Sequence, residues 1–99
     1  MDTASDRNCQ NARIVSHCLK GLAHESRLLI LMGLKDGEKG VNELSALTGH
    51  PQPTVSQHLS KMKERGIVDS RREGTQIFYF IKDRRILKFM ELLKELFCK

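Results

Sequence analysis

The stretch from His50 to Arg65 reads His-Pro-Gln-Pro-Thr-Val-Ser-Gln-His-Leu-Ser-Lys-Met-Lys-Glu-Arg, and its polar side chains are of types that read bases. A glutamine amide carries a donor beside an acceptor, the pattern that pairs with the major-groove edge of adenine; Ser and Thr hydroxyls bond bases or phosphates. Gln52, Thr54, Ser56, Gln57 and His58 are the candidates for this work. A helical turn onward, Lys61, Lys63 and Arg65 are placed to meet phosphates and to make binding depend on salt. A second polar cluster, Arg71, Arg72, Thr75 and Gln76, surrounds Glu73-Gly74. The remaining chemistry belongs to three thiols, Cys9, Cys18 and Cys98, which can be oxidised or can hold a soft ion.

These residues need elements to hold them. Residues 1–7 read as a flexible polar tail and residues 8–99 as a single domain. From Asn8 to Leu22, Ala12, Val15, Leu19 and Leu22 recur at helical spacing. His24-Glu25-Ser26 opens a second helix, with Leu28, Leu29, Ile30, Leu31 and Leu34 apolar on most sides, ending at Asp36-Gly37; it should be the central core helix. Asn42 is the expected N-cap of a short third helix carrying Leu44 and Leu47, stopped at Thr48-Gly49. Pro51 and Pro53 forbid its continuation, and Pro53 suits the first turn of a fourth helix, Thr54 to Arg65. Val55, Leu59 and Met62 should face inward there, with Gly66 closing the helix in the left-handed conformation. The period then becomes alternating: residues 67–72 and 76–81 predict a hairpin around Glu73-Gly74. Asp83 caps a last helix through Phe97, whose stripe is Ile86, Phe89, Met90, Leu93, Leu96 and Phe97, widened by Leu87 and Leu92.

The order ααααββα is that of a mainly α winged helix-turn-helix fold. Two short helices joined by a Gly- and Pro-containing turn form the reading unit, whose second helix enters the major groove. The hairpin behind it is the wing, lying along the backbone or in the minor groove.

Charge distribution agrees. The formal net charge is +5, yet residues 1–50 hold six Lys/Arg against six Asp/Glu, so the excess lies wholly in residues 51–99, with eleven against six. Basic charge confined to one part of a domain is the footprint of a nucleic-acid surface. An enzyme is disfavoured, because there is no phosphate-cradling Gly loop, nucleophile elbow or plausible carboxylate pair. A winged helix used only for protein contact should lack the polar helix face and the basic wing. No apolar run approaches the roughly 20 residues of a membrane span. The polar, acidic start is unlike a signal peptide, and three cysteines without a disulfide-framework spacing fit a cytoplasmic location.

With these motifs in hand, the sequence resembles the ArsR/SmtB family of winged-helix repressors over roughly Asn11 to Cys98. The resemblance rests on residues 22–31 (Leu-Ala-His-Glu-Ser-Arg-Leu-Leu-Ile-Leu), residues 55–62 (Val-Ser-Gln-His-Leu-Ser-Lys-Met), and the wing residues 66–68, 71–74 and 77–79. It implies a homodimer paired through the first and last helices, bound to an inverted-repeat DNA operator and released by an inducer, with no resident cofactor required. The last helix's stripe suits such an interface, and also suits packing within one subunit.

Inducer sites vary within the family. The site of the arsenic and cadmium sensors needs thiols in the third helix, where this chain has residues 42–47 (Asn-Glu-Leu-Ser-Ala-Leu). The zinc-type site on the last helix retains only Asp83, with Arg85, Leu96 and Lys99 at the other ligand positions. The pattern is most similar to the branch that senses persulfides and oxidants. Cys98 matches one of that branch's thiols, but Met32 stands at the other; Cys18 is the candidate replacement, and Cys9 a third, more mobile thiol. The alternatives are arsenite, Cu(I) or another metal held by Cys18, Cys98 and Cys9, and an inert pair in which Cys18 is core packing. His17 is a poor co-ligand for Cys18, since adjacent helical residues do not face each other.

Overall fold

The structure is a computed structural model and describes residues 3–97. Its elements run α1 (Thr3–Leu22), α2 (Glu25–Leu34), α3 (Val41–Thr48), α4 (Gln52–Glu64), β1 (Val68–Glu73), β2 (Gln76–Ile81) and α5 (Arg84–Phe97). This is the expected order, with shifted boundaries. Helix α1 begins at Thr3 rather than Asn8, so residues 3–7, expected as tail, continue the helix; neither Gly nor Pro interrupts the chain before Gly21.

The caps explain where the helices start and stop. His24 caps α2 through its side chain, Nδ1 accepting from the Ser26 N–H at 3.1 Å. Gly40, not Asn42, is the N-cap of α3. The third helix therefore starts two residues earlier than the side-chain rule suggests, without a side-chain cap. Gly49 ends α3 at φ +75°, its N–H bonding the Ser45 carbonyl. The turn to α4 is then locked by the Ser45 hydroxyl donating to the His50 carbonyl at 2.6 Å, and by the His50 N–H donating to Thr48 Oγ1 at 3.3 Å. Helix α4 starts at Gln52 instead of Thr54, because Pro51 is its N-cap residue and Pro53 fits the first turn, where no N–H is needed.

The core lies under the α3–α4 helix pair. Ile30, Leu31 and Leu34 of α2 pack with Leu44 of α3, with Val55, Leu59 and Met62 of α4, and with Leu22, Ile67, Val68, Ile86 and Met90. The central role of α2 and the inward face of α4 are as expected. Strands β1 and β2 pair antiparallel from Val68↔Ile81 to Glu73↔Gln76, which places the tip at Gly74-Thr75, one residue beyond the expected Glu73-Gly74. Gly74 takes φ +64° there. Lys39 adds a bridge to Tyr79, with N–H donation in both directions at 3.1 and 2.9 Å, tying the wing's root to the turn before α3.

Two faces stay uncovered. On α1, Ile14, Val15 and Leu19 are exposed; on α5, Leu92, Leu96 and Phe97 are exposed, Phe97 at 77%. Of the α5 stripe only Ile86 and Met90 are buried in this chain, with Phe89 and Leu93 packed against the core's edge. Among the described residues no helix is long and apolar enough to cross a membrane.

Candidate nucleic-acid interface

Val55, Leu59 and Met62 anchor one side of α4 in the core, which dictates what the other side shows. Gln57 lies two residues from both Val55 and Leu59, about 200° around the helix at 3.6 residues per turn, and so points outward. Gln52, Gln57, Ser60 and Lys61 are exposed, while Thr54 and Ser56 are half-buried at the helix start. The outward surface of α4 thus begins with amides and hydroxyls and continues with a lysine, as base reading followed by phosphate contact requires.

Several expected cations and the histidine have partners within the chain. The His58 ring is half-buried and turned toward α2, where its Nδ1 accepts from Arg27 Nε at 3.2 Å. Burial, followed by the nearby His24, Arg27, Lys61 and His50, holds its pKa below the usual histidine value. Lys63 Nζ donates to Ser70 Oγ at 2.8 Å, linking α4 to β1. Arg65 NH1 donates to the His17 carbonyl of α1 at 3.1 Å. No ion pair engages Lys61 among the described residues.

The wing divides its two arginines similarly. Arg71 Nε donates to both carboxylate oxygens of Glu38, at 2.9 and 2.7 Å, its NH1 donates to Glu73 at 2.8 Å, and its guanidinium lies 5.0 Å from the Phe78 ring centroid. The pair holds the Glu38 carboxyl below the usual carboxylate range and raises the arginine's pKa further. Arg71 thereby braces the wing against the turn before α3. Arg72 donates Nε to the Gly74 carbonyl at 3.2 Å across the tip, and Thr75 and Gln76 are exposed beside it. Glu38 had no signal in the sequence as a wing partner, being 33 residues from Arg71. Arg27 was legible only as part of a motif, not as a contact to α4.

Cys18 is half-buried in a groove between α1 and α5, lined also by Ile14, Val15, Leu22, Arg85, Ile86 and Phe89. Arg85 is held there by Asp83, whose carboxylate accepts from Arg85 Nε at 3.0 Å and NH2 at 2.7 Å. Hydrogen bonding from Arg85 keeps the Asp83 carboxyl below its ordinary pKa. Asp83 also accepts from the Arg85 backbone N–H at 3.0 Å, the expected cap of α5. Cys98 lies outside the described residues, and of Cys9 only its place on α1 is described. Among the described residues no group of three or more His, Cys, Asp or Glu side chains is arranged to hold a metal ion.

The pattern of the arsR family of bacterial regulatory proteins matches residues 24–70. A biofilm growth-associated repressor of Agrobacterium fabrum is 43% identical over 89 residues, covering 90% of this chain and 76% of that protein. The chain belongs to the arsR family. Among solved structures, the transcriptional repressor BigR from Xylella fastidiosa matches with a TM-score of 0.88 at 37% identity over 99% of both chains. A homodimeric winged helix-turn-helix DNA-binding domain, Mb0332 from Mycobacterium bovis, matches with a TM-score of 0.79 at 33% identity, over 97% of this chain and 89% of that one. This arsR-family chain is accordingly a DNA-binding transcriptional regulator with a winged helix-turn-helix fold, and not an enzyme.

Proposed function

We propose that the chain is a homodimeric repressor that grips an inverted-repeat operator and releases it when its cysteine thiols are modified. The observation that carries the DNA half is the outward face of α4: Gln52, Gln57 and Lys61 are exposed on a helix whose opposite face is fully buried, beside a basic hairpin. Gln52, Thr54, Ser56 and Gln57 read base edges, Lys61 meets phosphates, and Arg72, Thr75 and Gln76 form the wing contact. Arg71 holds the wing's angle through Glu38. The exposed apolar residues Ile14 and Val15 of α1 and Leu92, Leu96 and Phe97 of α5 support dimerisation through those helices, since apolar surface left in water favours a partner that covers it.

For the thiol half, Cys18 faces the first part of α5, beside Arg85, Ile86 and Phe89. Such a protein would work in the cytoplasm, where thiols are kept reduced until a signal arrives.

The test is operator binding by variants. Gln57→Ala and Arg72→Ala should each weaken binding to a duplex selected by the wild-type protein from a random pool, by about 1–3 kcal/mol for a lost base contact, while sedimentation still shows the dimer. Unchanged affinity in both variants would refute the assignment of the reading face.

A further inference from the structure

Three helices meet at Arg27. Its NH1 donates to the Lys20 and Gly21 carbonyls at 3.3 and 3.2 Å, two of the C-terminal acceptors of α1 that lack helical partners. Its Nε donates to His58 Nδ1 on α4 at 3.2 Å. One guanidinium thus joins the last turn of α1, the start of α2 and the inner flank of the reading helix. A second arginine grips α1 one turn earlier, from the other end of α4, where Arg65 donates to the His17 carbonyl at 3.1 Å. Gly21 permits this closeness, since a Cβ there would stand 2.6 Å from Ile67 Cδ1 and 2.9 Å from Arg65 Cδ.

The Arg27–His58 contact has a defined protonation state. To accept from Arg27, Nδ1 of His58 must be bare, so the ring is neutral with its proton on Nε2. The His24 ring lies 4.6 Å away between centroids, and its own Nδ1 is already accepting from the Ser26 N–H. The titratable and charged groups facing His58 are His24 and Arg27 at the start of α2, Lys61 on α4, and His50 from the α3–α4 turn, itself 3.2 Å from Ser26 Oγ. All are basic, so nothing in the cluster favours a charged ring.

We propose that Arg27 and His58 are positioning residues of the DNA interface, a clamp that sets α4 against the end of α1 and loosens when His58 takes up a proton. The proposal rests on α4 being the reading helix. A protonated His58 turns an N–H toward the Arg27 N–H, removing the bond and setting two cations together. Because burial and basic neighbours hold His58 below the ordinary value near 6.5, the unclamped ring binds a proton more readily than the clamped one. The clamp is therefore complete above the ordinary value and is lost as pH falls through the lowered value of the clamped ring.

A His58 that met phosphate or base as a cation would behave oppositely, binding DNA more tightly in acid. Acid also changes the charge of the rest of the chain, so the informative quantity is wild type against His58→Asn, whose Oδ1 keeps an acceptor near the Nδ1 position and does not titrate. The experiment measures fluorescence anisotropy of the full chain on a duplex selected by the wild type, in steps from about one pH unit above the ordinary histidine value to about two units below it. Arg27→Gln should bind about tenfold more weakly than wild type above that value, as expected for losing a charged hydrogen bond, with Arg27→Lys between them. Across the acid step the wild type should lose about tenfold more affinity than His58→Asn. Thermal melts and sedimentation show whether each variant is folded and dimeric. If Arg27→Gln does not fold, the His58→Asn comparison decides alone. Equal binding by folded Arg27→Gln, or identical acid profiles for wild type and His58→Asn, overturns the clamp and leaves the DNA assignment standing. Failure of the wild type to select any duplex overturns the DNA assignment, and the clamp with it.

Discussion

Gly21 is the one helical glycine in this chain whose missing side chain is demanded by a close approach, and Gly21→Ala turns that into a measurement. Two effects compete. Replacing Gly by Ala in a helix gains about 0.5–1 kcal/mol, less near a helix end, by reducing the freedom of the unfolded chain. Against this, the new methyl would stand 2.6 Å from Ile67 Cδ1, a side chain only 3% exposed, and 2.9 Å from Arg65 Cδ. Arg65 can swing aside, at the expense of its bond to the His17 carbonyl, but Ile67 is enclosed by the core. Overpacking of that kind costs about 1–3 kcal/mol, so the clash wins and the net loss is about 1–2 kcal/mol. For a domain of this size that is a fall in Tm of about 4–15 °C. Far-UV circular dichroism melts at one fixed protomer concentration measure it, because the midpoint of a dimer moves with concentration. Gly33→Ala is the internal comparison. A Cβ there meets Leu44 Cδ2 at 3.1 Å and Leu47 Cδ1 at 3.5 Å; Leu44 is fully buried but need give only slightly, and the Leu47 contact is ordinary. Its stability should change by less than about 1 kcal/mol. A Gly21→Ala protein that melts at or above the wild-type temperature, or a Gly33→Ala protein that falls further, would refute the packing argument for α1.

Two other expectations concern the interface and the thiols. Operator affinity should fall steeply as salt rises, and Lys61→Ala should reduce the slope of log K against log salt by about one. A flat salt profile in the wild type would remove the electrostatic case. Cys18→Ser and Cys98→Ser should each abolish release of the selected duplex by polysulfide or arsenite, read by anisotropy with intact-mass analysis of the protein. A double variant that still lets go as the wild type does would remove the thiol reading.

Much of the fold was legible because its signals are local. The apolar spacing of Val55, Leu59 and Met62 set the buried face of α4 and hence the outward position of Gln57. Pro51, Pro53 and Gly66 marked the helix limits to within two residues, since a missing N–H or a positive φ acts on its own segment of chain. The hairpin followed from alternation around Gly74. Errors fell where a signal was ambiguous: Asn42 has capping chemistry, yet Gly40 takes the N-cap, because the bridge between Lys39 and Tyr79 ties down the strand-like segment just before it.

Which polar groups are available to DNA is a different kind of information. His58, Arg65 and Arg71 have the composition of DNA contacts, and sequence reading put them all there. Folding gives each a partner 31, 48 and 33 residues away: Arg27, the His17 carbonyl and Glu38. Residue type and spacing prescribe the helix, the strand and the face, because those depend on backbone geometry over a few residues. The pairing of a guanidinium with a distant carboxylate, carbonyl or imidazole depends on how whole elements dock, and docking is set by the shared core. Thus the outward polar face of α4 was written into the order of its residues, whereas the contacts of Arg27 with His58 and of Arg71 with Glu38 came into being only when α1, α2, α4 and the wing closed around Ile30, Leu31 and Leu59.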